Sequence, residues 1–158
     1  MINIRLFQDS QADEVSQLIR RNLLEVNSKD YPAEFIDLLM TEFSPNRMIE
    51  RAKKQFIYVA MEDNQVVGTG ALENQGDGEN PAYYCVAMFV LPECHRQGIG
   101  RRLLTVVEAK AIEIGAEKLI LRSAIGAPGF YVKMGYAYPD GVETHDDWGN
   151  IIMEKRLE

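Results

Sequence analysis

PECHRQGIGRRLL, residues 92–104, sets Gly98 and Gly100 among His95, Arg96, Arg101 and Arg102, and its reading decides how the rest of the chain is arranged. Glycine weakens a helix interior and lets other groups approach the main chain closely. Two glycines where an apolar run gives way to a helical pattern therefore point to an anion held by main-chain amides at a helix N-terminus. Upstream, AYYCVAMFV (82–90) is apolar at both alternating sets of positions, the pattern of a central strand covered on both faces. Downstream, Leu103, Leu104, Val107, Ala111 and Ile114 form one helical stripe, and Gly115 is placed to end it. EKLILRS (117–123) reads as the next strand, so residues 82–123 form a strand, crossover helix and strand, expected to be parallel and right-handed.

The remaining segments fall on either side of this unit. MINIRLF (1–7) alternates as a strand, and Ser10 with Asp13 three residues on resembles an N-cap before Val15, Leu18, Ile19, Leu23 and Val26 at helical spacing. Tyr31-Pro32 opens a second helical segment with Phe35, Ile36, Leu38 and Leu39, Ser44-Pro45 interrupts it, and Arg47–Lys54 adds a further basic turn or two. FIYVAMED (56–63) and QVVGTGAL (65–72) read as a hairpin about Asp63-Asn64, with Gly68 and Gly70 marking a bulge or a close backbone approach. ENQGDGENP (73–81) reads as a loop. APGFYVKMGY (127–136) predicts a short helix closed by Gly135, and YAYPDGVE (136–143) with NIIMEKRL (150–157) predicts a final hairpin around HDDWGN (145–150).

With 158 residues, 46% hydrophobic and 26% charged, the chain has the size and composition of one globular domain spanning 1–158. Its longest apolar run, AYYCVAMFVL, is strand-sized, and the opening MINIRLFQDS lacks the apolar core of a signal peptide, so the expected location is cytoplasmic. Cys85 and Cys94 lack CxxC spacing, which argues against a disulfide scaffold or a zinc site and for two free thiols. A net charge of −7 argues against nonspecific nucleic-acid binding, which depends on neutralising phosphates. Positive charge is instead concentrated at 95–102, while Asp140, Glu143, Asp146 and Asp147 form an acidic group complementary to a cation.

Several anion-binding readings compete for HRQGIGRRLL. A nucleotide-triphosphate loop needs GxxxxGK followed by Ser or Thr, and no Lys-Ser or Lys-Thr occurs in the chain. A dinucleotide fingerprint needs GxGxxG, but Leu103 holds the third glycine's place. A tight helix start with solvated arginines is the bland alternative. VLPECHRQGIGRRLL (90–104) resembles the cofactor motif of the GNAT superfamily of acyl-CoA-dependent N-acyltransferases: Arg or Gln, any two residues, Gly, any residue, then Gly or Ala. On this chain the motif covers His95, Arg96, Gln97, Gly98, Ile99 and Gly100, with His95 departing from the usual Arg or Gln. The resemblance extends over nearly the whole chain through Phe130-Tyr131, Gly135-Tyr136 and the terminal IIMEKRL. The fold it implies is α/β, a mixed, mostly antiparallel central sheet with helices on both faces and one parallel strand-helix-strand unit.

The resemblance also implies a chemistry. Acetyl-CoA would be the co-substrate, its pyrophosphate on the amides of the His95, Arg96, Gln97, Gly98, Ile99, Gly100 and Arg101 loop, and its pantetheine arm along Met88, Phe89 and Val90. An amide of Met88 or Val90 would stabilise the oxyanion formed when an amine attacks. Tyr131 matches the family's general acid, and a phenol donates a proton without itself carrying charge. Family members often place a carboxylate on the central strand as base, whereas this strand offers Tyr83 and Tyr84; Glu73 is an alternative that reads equally as a solvated loop acid. Ser123 or Ala124 stands where many relatives have an Asn that contacts the cofactor, and that contact is not carried over.

For the acceptor, Tyr84, His145, Asp146 or Asp147, and Trp148 are the candidates, the acids attracting a cationic amine and Trp148 covering it through a cation–π contact. Three consecutive residues, His145 to Asp147, do not readily converge on one ion, so no metal is expected. The implied reaction is N-acetylation of a primary amine of a small molecule or peptide by direct attack, without an acyl-enzyme. The alternative is a silent acyl-CoA-binding sensor or interaction module. No nucleic-acid or membrane partner is expected. Homodimers are common in that family, although no residue here demands one. Acceptor choice would fall to the helices at 31–54 and the 140–150 loop.

Overall fold

Residues 1–158 are all described by the computed structural model, in which the strands form one 6-stranded sheet in chain order. These are β1 (Asn3–Leu6), β2 (Phe56–Glu62), β3 (Gln65–Asn74), β4 (Tyr83–Val90), β5 (Lys118–Ser123) and β6 (Ile151–Arg156). Neighbours are antiparallel except β4 and β5, which are parallel and joined through helix α4 (Ile99–Glu113). Before β2 come α1 (Ala12–Glu25), α2 (Ala33–Glu42) and α3 (Pro45–Ala52); α5 (Pro128–Lys133) lies between β5 and β6. Asp63 and Asn64 both take positive φ at the β2–β3 turn, the conformation a tight hairpin requires.

Two apolar helices clamp the sheet. Val15, Leu18, Ile19 and Leu23 of α1 are buried against β3 and β4, and Ile99, Leu103, Leu104, Val107 and Ala111 of α4 are buried on the opposite face. Gly68 and Gly70 allow the second contact. A Cβ at Gly68 would lie 3.0 Å from Leu103 Cδ1 and 3.1 Å from Ile99 Cγ2, and one at Gly70 would lie 3.0 Å from Met88 Cε. The β3–β4 register also shifts between Thr69 and Ala71, opposite Ala87 at φ +55°, so these glycines mark both a bulge and a close approach.

The structure corrects several sequence expectations. Ser10 does not cap α1; Gln8 and Gln11 form a reciprocal capping box one turn earlier. Residues 136–143 are not a strand. Pro139 offers no N–H and Asp140 and Gly141 take positive φ, so the segment makes a short 3-10 turn, with only Ala137 bridging to Glu154. The antiparallel partner of β6 is therefore β5. β3 runs through Glu73 to Asn74, whose side chain then caps the loop at Gly76 and Ala82. Finally, β4 is a central strand with α1 on one face and α4 on the other, but only Cys85 is fully buried and the other positions keep partial exposure.

Candidate active site

That half-exposure marks where the sheet splits. β5 pairs with β4 only at Tyr84–Ile120 and Cys85–Leu121, so Val86–Val90 have no strand on that edge. The N–H of Leu91 donates to Val67 O at 2.9 Å, which makes Gly68 and Val90 a non-hydrogen-bonded pair and turns the N–H and C=O of Val90 toward the open edge. His95 Nε2 takes up the Val90 carbonyl at 2.9 Å. The N–H of Val90 is left facing the gap.

Beyond Val90 a 3-10 turn (Pro92–Cys94) leads into the glycine loop. Arg96 and Gly98 both adopt the left-handed conformation, φ +66° and +80°. For Arg96 this costs about 1–2 kcal/mol, the kind of local strain that gathers at ligand sites. Alternating left- and right-handed residues turn successive N–H groups to the same side, forming an anion-binding concavity. The amides of Arg96 through Arg101 donate to no acceptor in the protein; intrahelical bonding begins with Arg102 N–H to Gly98 O at 3.1 Å. Added to the positive end of the α4 dipole, these donors fit a multiply charged phosphate group. Every expected cofactor residue except Gln97 lines a cleft of about 380 Å³, closed on the far side by Phe130 and Tyr131. Arg102 is turned away, donating to Ile2 O at 3.0 Å.

A second cavity of about 310 Å³ lies on the other side of Met88, Phe89, Asn27 and Tyr131, all of which line both spaces. Its floor is β4 from Cys85 to Phe89. Its roof is Tyr31, Phe35, Leu39 and Phe43, and its wall holds Asp146, Trp148 and Asn150. Phe35 stacks on Trp148 with centroids 4.7 Å apart and lies 4.9 Å from Tyr31, while Phe43 meets Phe89 edge-on at 5.7 Å. The roof falls in the 31–54 segment expected to choose the acceptor, although the sequence reading did not single out these four residues. Residues 31, 35, 39 and 43 recur every fourth position, which places them along one side of α2 and its flanks.

Tyr131 stands at the junction, buried, with its phenol pushed well above the ordinary value by burial and then by the neighbouring Cys85 thiol. It therefore keeps its proton across the physiological range. Burial also pushes Cys85 up to about 12 and raises Cys94, so neither thiol ionises readily. Asp146 and Trp148 line the second cavity, but the carboxylate is largely engaged. Its Oδ1 accepts from the N–H groups of Trp148 and Asn150, both at 2.9 Å, and its Oδ2 accepts from Asn150 Nδ2 at 3.0 Å.

Three acceptor-side candidates lie outside this cavity's lining. Tyr84 does not line the cavity, and its ring is covered by the Arg122 guanidinium at 4.7 Å. His145 is exposed and bonded to Glu143 Oε2 at 2.8 Å, and Asp147 is exposed outside the cavity. Glu73 accepts from Gln55 Nε2 at 2.6 Å and Gln75 Nε2 at 2.7 Å and lines neither space. No three His, Cys, Asp or Glu side chains are grouped to hold a metal ion, and no helix is long and apolar enough to cross a membrane.

A split mixed sheet with an amide-lined loop at the break defines an α/β fold that presents free N–H donors beside an open strand edge. The chain belongs to the acetyltransferase (GNAT) domain family, whose model matches residues 11–157. No curated protein sequence matches it. Among solved structures it is similar to the PaiA N-acetyltransferase of Thermoplasma acidophilum in complex with coenzyme A, at 18% identity, 99% coverage of both chains and TM-score 0.84. It is also similar to an aminoglycoside 6′-N-acetyltransferase complexed with coenzyme A, at 15% identity, coverage of 99% and 97%, and TM-score 0.73. A GNAT acetyltransferase from Brucella melitensis in complex with acetyl-CoA is 24% identical, with coverage of 86% and 82% and TM-score 0.68.

Proposed function

We propose that the protein is an acetyl-CoA-dependent N-acetyltransferase that moves the acetyl group to a primary amine by direct attack. The observation that carries this reading is the continuity of the two spaces: the amide loop and the open edge of β4 on one side, the aromatic cavity on the other, with Tyr131 between them. The unpartnered amides of Arg96–Arg101 suit the pyrophosphate, and Arg96 and Arg101 stand beside them. The pantetheine arm would run along Met88–Val90.

A primary ammonium ion, with a pKa of about 10, must first release a proton to solvent. The neutral nitrogen then attacks the thioester carbon, and the N–H of Val90 is oriented to receive the developing oxyanion. Donors of this kind are worth roughly 10²–10³ in rate. Collapse breaks the C–S bond, the Tyr131 hydroxyl protonates the leaving sulfur, and the excess proton shed by the attacking nitrogen restores the Tyr131 phenol. The sum is an amide, free coenzyme A and one proton. Raised thiol pKa values at Cys85 and Cys94 support direct transfer, since a thiolate is what an acyl-enzyme would need.

The test is thiol release from acetyl-CoA across a panel of amines. Release that requires both acetyl-CoA and an amine supports the reading, and tight coenzyme A binding with no release from any amine would replace it with a silent acyl-CoA-binding module.

A further inference from the structure

We infer that the acceptor is a small primary amine carrying one positive charge on a compact apolar body, such as a phenyl ring or a branched alkyl group. This rests on the acetyl-transfer reading above and goes beyond it in naming the substrate class. Fourteen of the eighteen residues around the second cavity are hydrophobic, and its roof and wall are mostly aromatic. Its volume of about 310 Å³ sits at the lower end of the roughly 300–1,000 Å³ typical of ligand pockets.

The polar groups in the wall are committed to one another. The amide of Ile125 donates to the Tyr31 hydroxyl at 3.1 Å, the Tyr31 hydroxyl donates to Asn150 Oδ1, and Asn150 Nδ2 donates to Asp146 Oδ2 at 3.0 Å. Asp146 is the single carboxylate of the cavity, and with Oδ1 taken by two amides only Oδ2 has capacity for one further donor. Arg122 also lines the cavity, but its guanidinium is engaged elsewhere, lying 4.7 Å over the Tyr84 ring and bonding Gln75 Oε1 at 3.1 Å. Asn27 is the other neutral polar group, at the mouth shared with the cofactor cleft.

One ammonium can thus be accommodated beside the remaining acceptor site of Asp146 Oδ2. A second ammonium, or a ring of hydroxyl groups, would be buried against Phe35, Leu39, Phe43 and Phe89 without partners. The protein's net charge of −7 would draw polycations to its surface, but the cavity itself selects against them.

The experiment measures kcat/KM by thiol release with 2-phenylethylamine, isoamylamine, spermidine, kanamycin and the peptide Phe-Gly-Gly. The expected result is a preference of about tenfold or more for 2-phenylethylamine or isoamylamine over each of the other three. Faster turnover of spermidine, kanamycin or the peptide overturns the substrate class while leaving acetyl transfer standing; no turnover with any amine overturns both. Leu39→Glu adds a carboxylate at a half-buried roof position and is expected to shift the ratio toward spermidine, with coenzyme A affinity unchanged. An unshifted ratio in the folded variant would count against the cavity as the acceptor site. Should the variant not fold, the wild-type panel decides the matter alone.

Discussion

The imidazole Nε2 of His95 lies 2.9 Å from the carbonyl oxygen of Val90, joining the first residue of the glycine motif to the last residue of the split strand. The nitrogen facing that carbonyl must carry the proton. His95 thereby holds the loop against the same residue whose N–H faces the gap.

His95→Ala should loosen this junction without disturbing the core, since the side chain is exposed. A lost hydrogen bond of about 1 kcal/mol predicts a roughly fivefold weaker coenzyme A affinity. Titration calorimetry measures it. His95→Gln, which restores a donor of similar reach, should recover most of the loss, and an unchanged dissociation constant in the alanine variant would remove His95 from cofactor binding.

Tyr131→Phe retains the buried ring and its edge-on contacts with Phe130 at 5.0 Å and Tyr136 at 5.9 Å, and deletes only the hydroxyl. Turnover should fall by roughly 10²–10⁴ with little change in coenzyme A affinity. Steady-state kinetics at saturating acetyl-CoA checks this, and a wild-type rate would exclude the phenol as proton donor.

Where the physics was local, the sequence was readable. The α4 stripe, the Asp63-Asn64 turn and the glycine loop each depend on residues a few positions apart, and the structure has all three. The acceptor side was not readable in the same way. Tyr84 and His145 looked suitable by residue type, but the Arg122 guanidinium covers the first and Glu143 engages the second, and both facts depend on tertiary placement. Pro139 and Asp140 were in plain view and still outweighed the strand pattern around them. The Tyr31, Phe35, Leu39 and Phe43 series could have been found by its spacing, yet only the Trp148 stack makes it one wall of a cavity rather than core.

Two glycines should respond oppositely to substitution by alanine. A Cβ at Gly98 meets nothing within 4 Å, so Gly98→Ala costs only the left-handed backbone at φ +80°, about 1 kcal/mol. Its larger effect should be on coenzyme A affinity, because relaxing that φ redirects the amides. Gly68→Ala instead drives a methyl into Leu103 and Ile99, an overpacking worth about 1–3 kcal/mol of stability. Urea melts and coenzyme A titrations on both variants separate the effects, and equal changes in both quantities would contradict this division.

Stability should fall in alkali, for a reason that can be assigned to residues. Cys85, Tyr131 and Tyr136 all hold their protons more tightly folded than unfolded, burial being the first cause for each, with the Glu108 carboxylate 2.7 Å from the Tyr136 hydroxyl reinforcing the third. Groups with raised folded-state pKa values contribute fully below their unfolded values and lose that contribution as pH rises. The thiol begins near pH 9 and continues to about 12, and the phenols join from about pH 10. Within its window each group removes about 1.4 kcal/mol per pH unit. Urea denaturation at pH 8, 9.5 and 10.5 should show a decline that steepens above pH 10, and Tyr136→Phe should make the upper part shallower. A wild-type curve flat from pH 8 to 10.5 would mean that these groups are not desolvated as their burial requires.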